Sequence, residues 1–537
     1  MQGRMKRKIQ MNDEMNQEQL QYSDKEQLEY EERRRLRQKR RRRAIRQRRL
    51  LFAFVLILLL ASVGTAIYVM MNKTEKSDTN LGMSTGDQEF KSDGVIVSDL
   101  QTESLLEQTE LQTEAAVQTE LVTEVDTDIL EQAEQMAMGY DYDGAIALLQ
   151  TIPSYETMPD ITAAINEYEA VKATCVAVDV NTVPHIFYHS LLNDTERAFN
   201  VEVLGQFAVD GMNAWMTTVE EFDKITQTLY DNGYVYVRLR DLVVESVDAN
   251  GNVTFTQNTS LMLPPGKKAI VLSVDDLSYY HSYEPAGFPE KLVLDENGNV
   301  KCLYTTSDGQ QQIGDFDVVP RLNTFLEEHP DGAYKGARGL IAMTGYDGVF
   351  GYRTDEDYEL RQKLTKDQEK WLSEHPDFDR ASEIAEATKI ADAVKESGWE
   401  FASHTWGHLS VTNKTVDELK TDNEKWVKNV QNIVGPVDTI IFAHGNDIGD
   451  WQDYSSDNEK YQYFKNAGYN FFCNVDGSVP YWVQIRENYV RQGRINLDGY
   501  MLYQSSQGAT TVIDDLFLAS QVFDSRRPTP VVANGQG

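Results

Sequence analysis

Two adjacent carboxylates, Asp275 and Asp276, end the stretch AIVLSVDD at 269–276. The apolar run before them reads as a buried strand that delivers acids to its C-terminal mouth, the place where α/β proteins build sites. Successive strand side chains point to opposite faces, so the two carboxylates are expected to take different roles. A merely solvated pair is the plain alternative, and the apolar strand leading straight into them argues against it. Farther on, WEFASHTWGHLS at 399–410 reads as another strand, ending at His404, with His408 four residues later. His-x-x-x-His sets two imidazoles on one side of a helical turn, within reach of one cation. One carboxylate and two imidazoles leave a coordination sphere open, as catalytic zinc requires.

The elements that must position these groups alternate between two periods. VPHIFYHSL (183–191) reads as a strand ending in His189, and Thr217 and Thr218 then cap a helix whose face is Phe222, Ile225 and Leu229. Asn232-Gly233 stops that helix, and YVYVRL returns as a strand. After Asp276, helix is expected at VVPRLNTFLEEH, strand at ARGLIAMTG and helix at ASEIAEATKIADAVKESG. This is the pattern of a parallel α/β sheet or barrel. Residues 277–315 interrupt it as an inserted β excursion rich in tyrosine: Tyr279, Tyr280, Tyr283 and Tyr304. DANGN at 248 and DENGN at 295 read as hairpin turns, since neither has the 12-residue ligand pattern of a calcium loop.

With both motifs in place, the region from about 183 to 515 resembles the NodB-like polysaccharide deacetylases, carbohydrate esterase family 4. The family's Thr-Phe-Asp-Asp motif is matched by Ser273-Val274-Asp275-Asp276, and its His-Ser/Thr-x-x-His motif by His404-Thr405-Trp406-Gly407-His408. FYHS and GYVYVRLRDL also look like the family's N-terminal portion. The resemblance implies a distorted (β/α) barrel and a divalent metal, zinc or else cobalt, held by Asp276, His404 and His408. It makes Asp275 the base.

Two family motifs depart from the pattern. Where the family has Arg-Pro-Pro-Tyr-Gly, this chain reads Ile441-Phe442-Ala443-His444-Gly445, so the Arg is missing and His444 takes the Tyr place, where its backbone N–H can still serve an oxyanion. The family's Leu-x-His near the C-terminus supplies a general acid, but all eight histidines here lie at or before 444. The corresponding stretch is INLDGYML at 495–502. His444 is therefore the catalytic candidate for a substitute acid, Asp476 for the fourth motif, and Arg491 or Arg494 for the missing positive charge. His189 and His281 could line the site or be structural, while His329 and His375, both in Glu-His-Pro, read as helix ends. Packing is the default for Trp406, Trp451 and Trp482.

The 537-residue chain has a net charge of −34, unevenly spread. Residues 1–50 hold 17 Lys+Arg against 8 Asp+Glu, and the remainder 34 against 77. An Arg-rich segment at 31–49 leads into 22 uncharged residues, Leu50–Met71, long enough to span a bilayer as a helix. A cleaved signal peptide is the rival, but 49 residues is too long for its basic region. The basic cluster reads as a topology determinant, with a nucleic-acid arm as the less economical alternative. The expected organisation is a cytoplasmic tail at 1–49, a transmembrane helix at 50–71, a disordered Thr/Glu/Gln-rich stalk at 72–126 and a helical hairpin spacer at 127–177. A deacetylase domain follows at 178–537, outside the cell. Only Cys175, Cys302 and Cys473 are present, too few and too scattered for a disulfide framework.

The expected function is metal-dependent removal of acetyl groups from an N-acetylated cell-wall or extracellular polysaccharide, such as peptidoglycan or an exopolysaccharide. The partners are then that glycan and the membrane, with no nucleic acid. The rival is a catalytically impaired glycan-binding or envelope-scaffolding protein that keeps the barrel.

Overall fold

The structure, a computed structural model, describes residues 128–249 and 251–533. The expected basic tail, membrane span and stalk lie outside the described residues. Among the described residues no helix is long and apolar enough to cross a membrane.

The strand Lys268–Asp275 is the axis of the architecture, with every residue from Ala269 to Asp275 buried. It pairs in parallel with His185–Tyr188 and, through Ser273–Asp275, with Leu340–Met343. From Leu340–Met343 the order runs through Glu400–Ser403, Thr439–Ile441, Phe471–Val475 and Tyr489–Asn496 back to His185–Tyr188, all parallel. The result is a closed barrel of seven parallel strands. Tyr234–Tyr236 adds to the lower part of Lys268–Asp275, and Trp482–Arg486 lies antiparallel to Tyr489–Asn496.

Strand alternation divides the core. Ile270, Leu272 and Val274 face outward into one cluster with Phe222, Ile225, Leu322, Ile390 and Val394 of the surrounding helices. Ala269 and Val271 face inward with Ala342, Ala402, Ile441, Cys473 and Val490. Continuing the same period, Ser273 and Asp275 also face inward, and there the interior turns polar, with buried His185 and Arg494 beside them. Apolar lower layers thus support a polar upper layer at the C-terminal mouth.

Local chemistry sets the helix and turn boundaries. Thr218 and Glu221 form a capping box at the start of Val219–Asp231. Gly233 ends that helix at φ +79°, where a Cβ would lie 2.8 Å from the Gly266 carbonyl oxygen. Asp248 and Asp295 close their hairpins by accepting backbone N–H groups from Asn252 and from Asn297 and Asn299. The insertion after Asp276 carries a three-stranded antiparallel sheet, Lys291–Leu294, Val300–Thr305 and Gln311–Gly314. Its Leu292, Val300 and Cys302 join the main core, so it is built into the barrel wall.

The N-terminal spacer differs from a hairpin. It has three helices, at 128–138, Tyr142–Leu149 and Pro159–Thr174. Tyr140 at φ +67° and the Asp141 cap break what would have been one long arm. Ala133, Leu149, Ile161 and Ile165 share one apolar cluster with Val183, Val235, Leu239 and Ala269 at the lower end of the barrel. The Tyr140 hydroxyl donates to the Asp331 carbonyl at 2.6 Å, and Lys335 reaches Asp141 at 2.9 Å. These helices are the floor of the barrel. Leu149→Ala is expected to cost about 2–5 kcal/mol and to shift the whole denaturation curve in urea, without a separate early transition for the floor.

Candidate metal centre and active site

The strand ends bring the two motifs together. Asp275 closes its strand pointing inward, and the next residue, Asp276, turns out of it at φ +59°. His404 follows the end of Glu400–Ser403. One donor atom from each of Asp276, His404 and His408 lies within 4.8 Å of the other two.

The loop 404–408 is not helical, contrary to the expected helical turn. Thr405 and His408 adopt left-handed backbone, at φ +63° and +51°. The N–H groups of Trp406 and Gly407 donate to buried Asp422 at 2.7 and 2.9 Å, and the Leu409 N–H donates to Thr405 Oγ1 at 2.7 Å. These side-chain acceptors take the donors that a helix would have used on its own carbonyls, so tertiary contacts bring the imidazoles together.

The donor set fits a divalent cation. His408 Nε2 and Asp276 Oδ2 are 3.5 Å apart, close to the ~3.4 Å edge of a tetrahedron with metal bonds near 2.1 Å. His404 Nδ1 donates to the Ile441 carbonyl at 2.7 Å, which turns Nε2 toward the site. The Tyr280 hydroxyl donates to Asp276 Oδ1 at 2.8 Å, leaving Oδ2 for a ligand role. Tyr280, from the tyrosine-rich insertion, is a site residue that sequence reasoning did not single out. Its only signal was the density of aromatic hydroxyls just after the acids.

Asp275 has a different environment. Arg494 grips it with two hydrogen bonds, at 2.7 and 3.0 Å, and both side chains are buried. Burial pushes the Asp275 carboxyl up, but Arg494 and then His404 outweigh it and hold it at about 2. Burial also dominates at His404, lowering it to about 4 despite both carboxylates. At neutral pH the base candidate is ionised and His404 is neutral, the form in which imidazole binds a metal.

The other candidates separate by strand face. Arg494 faces inward and fills the place of the missing positive charge. Arg491, three residues earlier, faces outward and bonds Asp447 at 2.7 Å and Gln484 at 2.9 Å. Asp476 accepts from Ser478 in a turn. His444, at φ +59° and exposed, sets its ring 4.3 Å from His408, with Nε2 donating to the His408 carbonyl at 3.2 Å.

His189 lies past the end of the inward-facing series His185, Phe187. Its ring is 5.8 Å from Phe187, over which the Arg494 guanidinium sits at 4.0 Å. Its buried Nδ1 has no hydrogen-bond partner among the described residues. His281 instead belongs to a buried network with Glu284, Tyr358 and Asp347. His329 and His375 cap helix C-termini. Trp451 breaks the packing expectation, being 74% exposed on a long surface loop.

No family model matches the chain, and no curated protein matches it. Among solved structures it is similar to the Streptococcus pyogenes deacetylase PplD in complex with acetate, at 13% identity and a TM-score of 0.28. That match covers 59% of this chain and 93% of the other. A likeness of that size carries no weight for mechanism, which stands on the side chains themselves.

Arg494→Met leaves a buried carboxylate without its partner and is expected to cost about 3–5 kcal/mol in chemical denaturation, while Arg494→Met with Asp275→Leu recovers most of the loss. Because the folded Asp275 carboxyl is depressed, its contribution is full above the ordinary value of 3.8 and is lost as the pH falls toward 2. The stability gap between the wild-type and Arg494→Met chains should close over that window.

Proposed function

We propose that this chain is a metal-dependent deacetylase that removes acetyl groups from an N-acetylated cell-wall or extracellular polysaccharide. The observation that carries the reading is the meeting, at one barrel mouth, of a three-donor set and a separate carboxylate kept ionised by a buried Arg. Packing alone does not ask for a three-donor set beside that pair. The scaffold alternative drew on a missing Arg and a missing C-terminal His. The Arg494–Asp275 pair supports the deacetylase reading on the first count, and His189, just past the strand His185–Tyr188, is our candidate on the second.

Asp276, His404 and His408 would hold the metal, zinc or cobalt, which supplies Lewis acidity toward water and the acetyl carbonyl. Asp275 takes the proton of the attacking water. The water oxygen bonds to the carbonyl carbon, the backbone N–H of His444 faces the developing oxyanion, and the C–N bond breaks with its electron pair going to nitrogen. His189 then gives a proton to that nitrogen, so acetate and a free amine leave. The acid is assigned to His189 and not to His444, whose Nε2 is engaged by the His408 carbonyl. The 50–71 run would anchor the chain as a single-pass protein, with the barrel outside the cell and the tail in the cytoplasm.

The test is acetate release by the full-length chain from chitooligosaccharide and peptidoglycan, with bound metal measured by elemental analysis. Asp275→Asn and His189→Gln should each reduce turnover by roughly 10²- to 10⁴-fold, and His444→Gln by much less. Asp276→Ala and His404→Ala should lose the metal. A wild-type chain with no metal and no acetate from either glycan would falsify the reading.

A further inference from the structure

Arg491, on the outer face of the strand Tyr489–Asn496, is buried to 1% exposure, and its guanidinium serves one surface loop. Nη1 donates to the Gln452 carbonyl and Nη2 to the Asp450 carbonyl, both at 2.6 Å, and Nη2 also reaches Asp447 Oδ2 at 2.7 Å. From the neighbouring strand Trp482–Arg486, Gln484 Nε2 donates to the Trp451 carbonyl at 3.4 Å and to Asp453 Oδ1 at 3.0 Å. The backbone at and on both sides of Trp451 is therefore held. Its indole, by contrast, is 74% exposed and makes no hydrogen bond, ring contact or cation contact among the described residues. An exposed indole forgoes the stabilisation that burial would give it. A buried cation that fixes the carbonyls around such a residue serves its display to solvent, and a platform ordered in advance spares a ligand the cost of ordering it.

Beside the indole lies an open cleft of about 650 Å³, lined by Trp451, Gln452, Asp453, Trp482, Gln484 and Arg486, a volume within the ~300–1,000 Å³ of small-ligand sites. Trp482 is half-buried, with the Arg491 guanidinium 4.9 Å from its ring centre, so the second indole is held as well. The charges in the cleft cancel, because Arg486 binds Asp453 with two hydrogen bonds at 2.9 and 2.6 Å. What is offered is a pair of indoles edged by amides and a neutralised ion pair, on a chain whose residues after 50 carry 77 acidic against 34 basic groups. Such a surface suits an uncharged ligand with C–H faces and a polar rim, which is the make-up of a sugar ring. Trp482 pairs with Gly493, the residue before Arg494, so the cleft and the Arg494–Asp275 pair lie on opposite faces of one strand. Trp451 follows His444 by seven residues, and their Cα atoms are therefore at most about 25 Å apart. A glycan strand seated at the mouth covers that distance with a few sugars. We infer that this outer cleft holds a second stretch of the glycan whose acetyl groups are removed at the mouth, so that long chains are favoured over short ones. The inference takes its ligand from the deacetylase reading and adds a binding site which that reading does not contain. Once one stretch is seated the other binds intramolecularly, which is the source of the length preference.

The test compares the full-length wild-type, Trp451→Ala and Trp451→Phe chains on a short and a long probe, triacetylchitotriose and soluble glycol chitin. Two quantities are read: kcat/KM per acetyl group on each probe, and retardation in a native gel cast with glycol chitin. The wild type should be retarded and should prefer the polymer, and Trp451→Ala should lose roughly 10-fold of that preference together with most of the retardation. Trp451→Phe, which keeps a ring, should recover most of both. The ratio of the two probes is taken within one preparation, so partial misfolding cancels from it. Equal rates on both probes in the wild type, or a Trp451→Ala chain with unchanged ratio and retardation, overturns the inference and leaves the deacetylase reading standing; the indole then faces a partner other than glycan. Retardation that depends on Trp451 without acetate release from either probe supports the cleft and overturns the deacetylase reading. A wild type that is neither retarded nor active overturns both.

Discussion

The buried pair of Arg494 and Asp275 is the constraint around which the barrel is arranged. Two charges sit in an interior whose lower layers are Ala, Val and Ile, and neither could stay there ionised alone. The guanidinium offers two parallel donors to the carboxylate, a third contact to Ser273 Oγ at 3.2 Å, and its face to the Phe187 ring. The two strands that carry the pair are not neighbours, because His185–Tyr188 lies between them. The pair therefore braces the barrel across a strand, and the same bonds keep the carboxylate ionised, as the proposed base role requires. Fold stability and chemistry draw on one interaction.

The second constraint is backbone strain at the mouth. Asp276, Thr405, His408 and His444 all take left-handed φ, between +51° and +63°, without being glycine. Each such residue costs on the order of 1–3 kcal/mol and persists only where its surroundings overdetermine it. Asp422 holds the 404–408 loop by two backbone donors, the Ile441 carbonyl holds His404, and Tyr280 holds Asp276. These contacts come from three separate parts of the chain. Their joint effect is to fold strand ends that would otherwise diverge back over one point, with one donor atom each of Asp276, His404 and His408 within 4.8 Å of the other two.

Parts of this were legible along the chain because they are local. A Val/Ile/Leu run that ends in carboxylates, a second strand that ends in His, and alternating helix and strand periods between them place an α/β site at strand ends without any knowledge of contacts. The hairpin turns at Asp248 and Asp295 were equally readable, since an Asp accepting backbone N–H groups a few residues on needs nothing distant. The loop at 404–408 departs from the helical turn its His spacing predicts, because its acceptor, Asp422, lies on the helix Val416–Trp426. Trp451 departs from the core packing an aromatic predicts because its loop runs over the surface, which no local pattern encodes.

What the sequence by itself determined is the identity of the acids and imidazoles, their placement at strand ends, and the inward face of Asp275. These follow from an apolar run that ends in polar residues and from the two-residue period of a strand. What only the tertiary structure decided is which cation serves Asp275 and which carbonyl orients His404. Arg491 and Arg494 are alike in sequence, and only closure of the barrel puts Arg494 against a carboxylate 219 residues away. His185–Tyr188 and Tyr489–Asn496, far apart in sequence, become neighbours only on that closure. Such pairings are set by the order of strands around the barrel, and no local pattern of residues encodes that order.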